Sequence, residues 1–237
     1  MEMKLTCYAP ETLEAFKSIS TATLTTLLFK KGLRNVWMRG PAPVHSDVER
    51  IAGPAFTLRF VPAREDLATP AAWSSPTSTR AAVEAMPEGS IAVVYAMGNQ
   101  DAGIFGDILC QRMAARQVTG LVTDGVVRDI EGVASTGLPV WSSGVAAPPA
   151  VASLTFAGWN DPIGCGGVAV YPDDLIVADK HGAVVIPKAL VEELMDPGRE
   201  QEQLEQWILE EVRSGAELSG LYPPNDANLA RYRNSKE

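Results

Sequence analysis

The chain has 237 residues, 46% of them hydrophobic and 21% charged, with a formal net charge of −9. That length buries a core without staples, and the acidic balance excludes the clustered Lys and Arg of a nucleic-acid footprint, so no nucleic-acid partner is expected. Apolar runs such as Ile91–Met97 are too short to cross a bilayer, and Met1-Glu-Met-Lys4 shows no charged-then-apolar leader, so no membrane partner and a cytoplasmic location are expected.

In chain order, Pro10–Lys31 reads as two short helices, the second N-capped by Ser20 or Thr21 and ended by Gly32. Arg34–Glu49 is polar and Pro-containing and is expected as a long loop. Ala55–Val61 alternates as a strand does. Residues 62–78 form another loop, after which Ser78 or Thr79 opens a short helix through Met86. From there the pattern becomes α/β. Ile91–Ala96 is a continuous apolar run, as in a strand covered on both faces. A glycine-bearing loop follows at Met97–Gly103, then helical spacing over Ile104–Arg116, with Ile104, Ile108 and Met113 among the apolar positions. Gly120–Asp124 and Leu138–Trp141 are strand-like. In the last third, Gly167–Tyr171, Asp174–Ala178 and Ala183–Ile186 predict antiparallel strands around the turn Asp179-Lys-His-Gly182. Pro187 suits a helix start, a further helix is expected over about Arg199–Arg213, and Ser214–Glu237 reads as an irregular tail. One domain over residues 1–237 is the simplest organisation.

Cys7, Cys110 and Cys165 form no C-x-x-C pair and are expected to be reduced and packed as small apolar groups. His45 and His181 are the chain's two histidines, so a three-histidine zinc site within one chain is impossible. His181 lies in a turn where a polar residue is expected. Trp141 and Trp159 read as packing residues.

Two segments combine residue types that can do chemistry. Gly106-Asp107 is expected in the first turn of a helix, where unpaired N–H groups can receive a carboxylate or enolate oxygen, and Gly103 and Gly106 permit close approach to the backbone. Asp124-Gly-Val-Val-Arg-Asp129 follows a strand, where ligand sites gather in open α/β structures. Arg128 can grip a carboxylate with two parallel hydrogen bonds, and Asp129 can hold a hard cation. Each alone also fits a plainer role, as a helix-dipole partner or a surface ion pair.

Asp107, twenty intervening residues, then Arg128-Asp129 match the Asp-x20-Arg-Asp signature of class II pyruvate aldolases. Ser20-Thr-Ala-Thr23, Ile51-Ala-Gly-Pro-Ala-Phe-Thr57, Gly106-Asp-Ile-Leu109, Gly120–Asp129 and Asp174–Pro187 also resemble segments of that family, in family order. The chain thus resembles the 4-hydroxy-4-methyl-2-oxoglutarate aldolase and regulator of ribonuclease activity A family over about residues 18–215, with 216–237 as a C-terminal tail.

The resemblance implies a layered α/β/β/α sandwich around a central mixed, barrel-like sheet, with the C-terminal helix docked on a neighbouring subunit of a homotrimer or dimer of trimers. It implies a Mg²⁺ or Mn²⁺ cofactor held by Asp129, by Asp107 through a water, and by a neighbouring subunit's glutamate through a water. That glutamate matches Glu205 better than Glu202. Arg128 and Asp107 are the implied catalytic residues, and Arg128, Ile104, Phe105, Gly106 and Asp107 the implied contacts to a 2-oxo acid. The implied activity is cleavage of 4-hydroxy-4-methyl-2-oxoglutarate or 4-carboxy-4-hydroxy-2-oxoadipate, substrates of aromatic degradation, to pyruvate and a second oxo acid, with oxaloacetate decarboxylation alongside. The alternative is a non-catalytic regulator that binds an RNA-processing enzyme. A lysine Schiff-base route has no good candidate, because all seven lysines lie near termini, in turns or at helix ends. The leaving-group pocket is expected from the loops at 34–49 and 62–78 and from the tail.

Overall fold

A computed structural model describes residues 8–236; Cys7 lies outside them. The organising element is one long strand, β2 (Ile51–Pro62), which follows a two-residue strand β1 (Ala42–Pro43). One edge of β2 pairs in parallel with β3 (Ile91–Tyr95), and β4 (Gly120–Thr123) and β5 (Val140–Ser142) continue that parallel sheet, closed by antiparallel β1. The start of β2 pairs antiparallel with β7 (Leu175–Asp179), which carries β8 (Gly182–Ile186). Its end pairs with β6 (Leu154–Trp159) across a register shift at Arg59/Phe60. Because β2 serves both halves, the sheet curls on itself, with strand order β1-β5-β4-β3-β2-β7-β8.

Period-two alternation then builds three cores. Ile91 and Val93 of β3, Ile176 and Ala178 of β7, and Ala183 and Val185 of β8 point into the curl and meet Trp141 and Met38. Ala92 and Val94 point the other way, against α3 (Thr79–Ala85), α4 (Asp107–Ala115) and α5 (Ile130–Ser135). Leu175, Val177, Val184 and Ile186 face α1 (Pro10–Lys17), α2 (Thr21–Lys30) and α6 (Val191–Arg213). The result is the expected α/β/β/α layering, and the continuous apolar runs are strands buried on both faces.

Local signals placed several boundaries. Ser20 caps α2, accepting from Thr23 N, Ser78 caps α3, accepting from Ala81 N, and Gly32 has φ +85 after α2. Other expectations are corrected. The strand at Ala55 starts earlier, at Ile51, because its first residues pair with β7. The helix expected from Ile104 starts at Asp107, since Ile104 N is held by Val126 O and Gly103 bridges Val126. Ile108, counted there as an apolar helix position, is 80% exposed. Gly167–Tyr171 is not a strand: Gly166 and Gly167 both have positive φ, and one bridge, Ile163–Val170, pairs there. Pro197 lies inside one continuous helix α6. The burial of Val191, Leu194 and Gly198 on the α1–α2 side outweighs the hydrogen bond that the ring removes. The C-terminal helix expected on a neighbouring subunit thus packs its first half on its own chain, with Gly198 against Ile19. The tail is partly ordered as α7 (Asp226–Asn234), whose Tyr232 ring lies 5.7 Å from that of Trp207. Among the described residues, no helix is long and apolar enough to cross a membrane.

Candidate active site

Beyond the ends of β3 and β4 the chain continues as a second, shorter parallel pairing. Asp124, buried, joins the two: its carboxylate accepts from Ala96 N (2.7 Å) and from Gly166 N (3.2 Å). Burial pushes this carboxyl above the usual carboxylate range, against the opposing pull of those hydrogen bonds. Asn99 Oδ1 accepts from Asp101 N, Ala102 N and Ser153 Oγ and so shapes the loop that follows β3. The loop then rejoins the other segment. Ile104 N donates to Val126 O and Arg128 N to Phe105 O, both at 2.9 Å. On the outer side, Gly103 N donates to Pro148 O (2.9 Å) and Ala146 N to Val127 O (2.9 Å).

This pairing brings Gly106 against Arg128-Asp129, and glycines make the approach possible. A Cβ on Gly103 would meet Arg128 Cβ at 2.7 Å, and one on Gly106 would meet Asp129 Oδ2 at 2.5 Å. Gly132, inside α5, does the same for the third residue: its Cβ would meet Asp107 Cβ at 2.7 Å. Asp129 itself has left-handed geometry (φ 52, ψ 47), uncommon outside glycine but tolerated by Asp. Gly106 caps α4 and Asp107 is its first residue.

All of the expected contacts, Ile104, Phe105, Gly106, Asp107, Arg128 and Asp129, line one cavity of about 280 Å³. Ile104 and Phe105 place their side chains in the core beneath and so present main chain to it. The N–H groups of Asp107 and Leu109, in the first turn of α4, have no intrahelical acceptor, whereas Ile108 N is taken by Asp107 Oδ1 (2.7 Å). Arg128 Nε donates to Asp129 Oδ2 at 3.0 Å, with the side chains 36% and 43% exposed. A pair so exposed holds its members weakly, leaving both able to turn to a ligand. Cys110 is buried beneath. Burial, with the Asp107 charge, pushes its thiol up to about 12, so it stays protonated.

Trp73, of the loop at 62–78, is joined on the cavity wall by two residues that no local signal marked, Arg80 and Ala150. The Arg80 guanidinium lies 5.6 Å from the Trp73 ring centre. The segment 62–78 does shape the site, as expected, whereas no residue of 34–49 lines this cavity. His181 is remote from it, in the turn that bonds Asp179, and Trp141 is fully buried, donating to Asp179 O. Glu202 accepts from Ser20 N (2.7 Å) and Glu205 from Gln201 (2.8 Å), both within this chain and neither on the cavity wall.

Among the described residues no group of three or more His, Cys, Asp or Glu is arranged as a metal cage. Asp107 and Asp129 are two oxygen donors on one cavity. Such a set suits a hard divalent cation that keeps several waters and takes further oxygens from its substrate; it does not suit zinc.

The family model described as RraA-like, Aldolase/RraA, matches residues 19–185. A Halalkalibacterium halodurans protein named "Putative 4-hydroxy-4-methyl-2-oxoglutarate aldolase" is 30% identical over 188 residues, 79% of this chain and 81% of that protein. Protein DlpA of Legionella pneumophila is 29% identical over 169 residues, 71% of this chain; the chain spans 26% of that relative's length. Among solved structures, Streptomyces coelicolor RraAS2, described as an unusual member of the RNase ES inhibitor RraA protein family, superposes with a TM-score of 0.78 at 33% identity, covering 85% of this chain and 98% of that one.

Proposed function

The chain belongs to the RraA-like, Aldolase/RraA family, and from that premise we propose that it is a divalent-metal-dependent lyase that cleaves 4-hydroxy-2-oxo acids to pyruvate and a second carbonyl compound. The observation that supports this reading above the others is the convergence of Asp107, Arg128 and Asp129 on one cavity, across glycines that leave no room for a side chain. A surface ion pair would need no such clearance; a ligand site does.

In this reading the N–H groups of Asp107 and Leu109 receive the substrate carboxylate at the positive end of α4. Arg128 turns from Asp129 to the 2-oxo group, where negative charge develops as the C3–C4 bond breaks. Asp129, with Asp107 in support, would hold Mg²⁺ or Mn²⁺, which when bound would supply Lewis-acid stabilisation of negative charge. Asp107 Oδ1 is fixed by Ile108 N, and its second oxygen positions a water that takes the C4 hydroxyl proton. The enolate is then protonated at C3 to give pyruvate. The same electron sink decarboxylates oxaloacetate. A glutamate from a neighbouring copy, Glu205 before Glu202, completes the site in a homotrimer or dimer of trimers, because Glu202 already caps α2 of its own chain.

The test is pyruvate release from oxaloacetate and from 4-hydroxy-4-methyl-2-oxoglutarate, with Mg²⁺ and with chelator. Chelator-sensitive release from either is expected. A second reading, a protein-binding regulator, draws on the likeness to RraAS2 and on a net charge of −9 that suits a basic partner. Intact metal binding with no pyruvate from any 2-oxo acid would favour it.

A further inference from the structure

Behind Trp73 lies a second cleft, of about 210 Å³, that shares Trp73, Thr79 and Ala150 with the cavity of Asp107. Its floor and sides are Phe60, Leu67, Ala72, Leu154 and Phe156, with Phe60 and Phe156 edge to face at 5.2 Å. Among the described residues, no Asp, Glu, Lys, Arg or His lines it. Some of its hydroxyls are turned to neighbours: Ser78 Oγ accepts from Ala81 N, Thr155 Oγ1 accepts from Arg64 N, and Ser75 and Thr77 bond each other at 3.1 Å. Both guanidinium groups near the site, Arg80 and Arg128, belong to the first cavity alone.

We propose that this cleft is a specificity subsite that takes an apolar, uncharged substituent carried beyond C3 of a 2-oxo acid. The proposal rests on the reading of the first cavity as the 2-oxo acid site. A pyruvyl unit anchored between Arg128 and the start of α4 directs its remaining carbons past Ala150 and Thr79, the wall common to both spaces. What enters the cleft there finds aromatic and aliphatic surface and no charged partner. An alkyl or aryl group gains by burial, whereas a second carboxylate would be desolvated with no cation to pair with it. The volume is ample, since a dry cavity of about 150 Å³ suffices for a benzene ring. For a substrate, the reaction is R–CH(OH)–CH₂–CO–COO⁻ → R–CHO + CH₃–CO–COO⁻. The C3–C4 bond breaks, the hydroxyl proton leaves, one proton is returned to C3, and R is an apolar group.

The experiment is a binding measurement, independent of turnover. Calorimetry on the Mg²⁺-loaded protein compares 2-oxo-4-phenylbutanoate with 2-oxoglutarate, neither of which has a 4-hydroxyl to give up the proton that cleavage requires. Binding of the phenyl acid at least about tenfold tighter is expected, the scale on which an apolar pocket discriminates. Leu67→Asp, at a loop position 48% exposed, should erase that preference; Thr77→Asp, also exposed, is the second variant should the first fail to fold. Equal or tighter binding of 2-oxoglutarate, or a preference unmoved in both variants, overturns the subsite and points to Arg80 as the holder of a second carboxylate. Binding of neither acid removes the 2-oxo acid reading of the first cavity, and the subsite with it.

Discussion

Two groups of carboxylates sit at the starts of two helices, and they do opposite things. At α2, Asp179 and Glu202 are brought in from β7 and α6. Asp179 is buried and accepts from Thr21 N, Thr21 Oγ1 and His181 N, with Arg50 Nε at 3.3 Å; Glu202 accepts from Ser20 N. Every oxygen of Asp179 has a partner. At α4, Asp107 gives one oxygen to Ile108 N, and Asp129 is bonded to the neighbouring Arg128 across an exposed edge. The first group is saturated by its own chain, and the second retains acceptor capacity toward a cavity. Both groups are carboxylates beside a helix start; unused hydrogen-bonding capacity beside empty space marks the second as the candidate for function.

The largest effect expected on the α4 side is catalytic. Arg128→Ala and Asp129→Ala should each lower pyruvate release by about 10³-fold, the scale of losing a principal charge-stabilising group, with the melting temperature nearly unchanged. A coupled pyruvate assay beside circular dichroism reads both. Rates within a few-fold of wild type would break the comparison at its functional end.

On the α2 side the balance reverses. Asp179→Ala leaves three donors and the Arg50 guanidinium without their acceptor, and removing one partner from such a buried set costs about 3 kcal/mol. The expected outcome is a melting temperature lower by roughly 6–12 °C for a chain of this size, with kcat of the folded fraction retained. A stable variant with collapsed activity would mean that Asp179 serves the site.

Gly106→Ala tests the seam itself. Its φ of −119 suits alanine, so the added methyl acts only through space, 2.5 Å from Asp129 Oδ2. Displacing Asp129 should cost about 30-fold in kcat/KM, near 2 kcal/mol, and little stability.

These contrasts also show which parts of the molecule were legible in the sequence. The strands at Ile91–Tyr95, Gly120–Thr123 and Leu175–Asp179 were, because burial on both faces writes a continuous apolar run. The caps Ser20 and Ser78 were, because their cause is local. Asp107, Arg128 and Asp129 were, through their spacing. Arg80 was not, and Trp73 only as part of the loop at 62–78, since both reach the cavity only when residues 70–80 fold beside Ala150, a tertiary event with no local mark. Gly132 was missed because a glycine in a short helix explains itself only once Asp107 lies against it. Strand β6 shows a half-buried, weakly patterned run and is held by pairing with β2. Helix α7 carries Leu229 and Tyr232 as its large apolar residues and is placed by the Tyr232–Trp207 contact.

The smallest effect sharpens the structural end. Burial alone would raise the carboxyls of Asp179 and Glu202, but the hydrogen bonds from α2, with the Arg50 charge, overcome it and hold both below the usual carboxylate range. An acid whose folded pKa is depressed adds stability that is fully present above its unfolded value, about 4, and lost as pH falls through the folded value. Glu202→Gln keeps an acceptor near Ser20 N and removes only the charge at the helix start, a loss of about 0.5–1 kcal/mol at neutral pH. Denaturant titrations of the two proteins should therefore differ at pH 7 and converge only as pH falls through the folded value of Glu202, which lies below the ordinary carboxylate range of about 4. A gap that persists undiminished into acid would mean that the substitution acts through packing, and that Glu202 holds α2 by shape and not by charge.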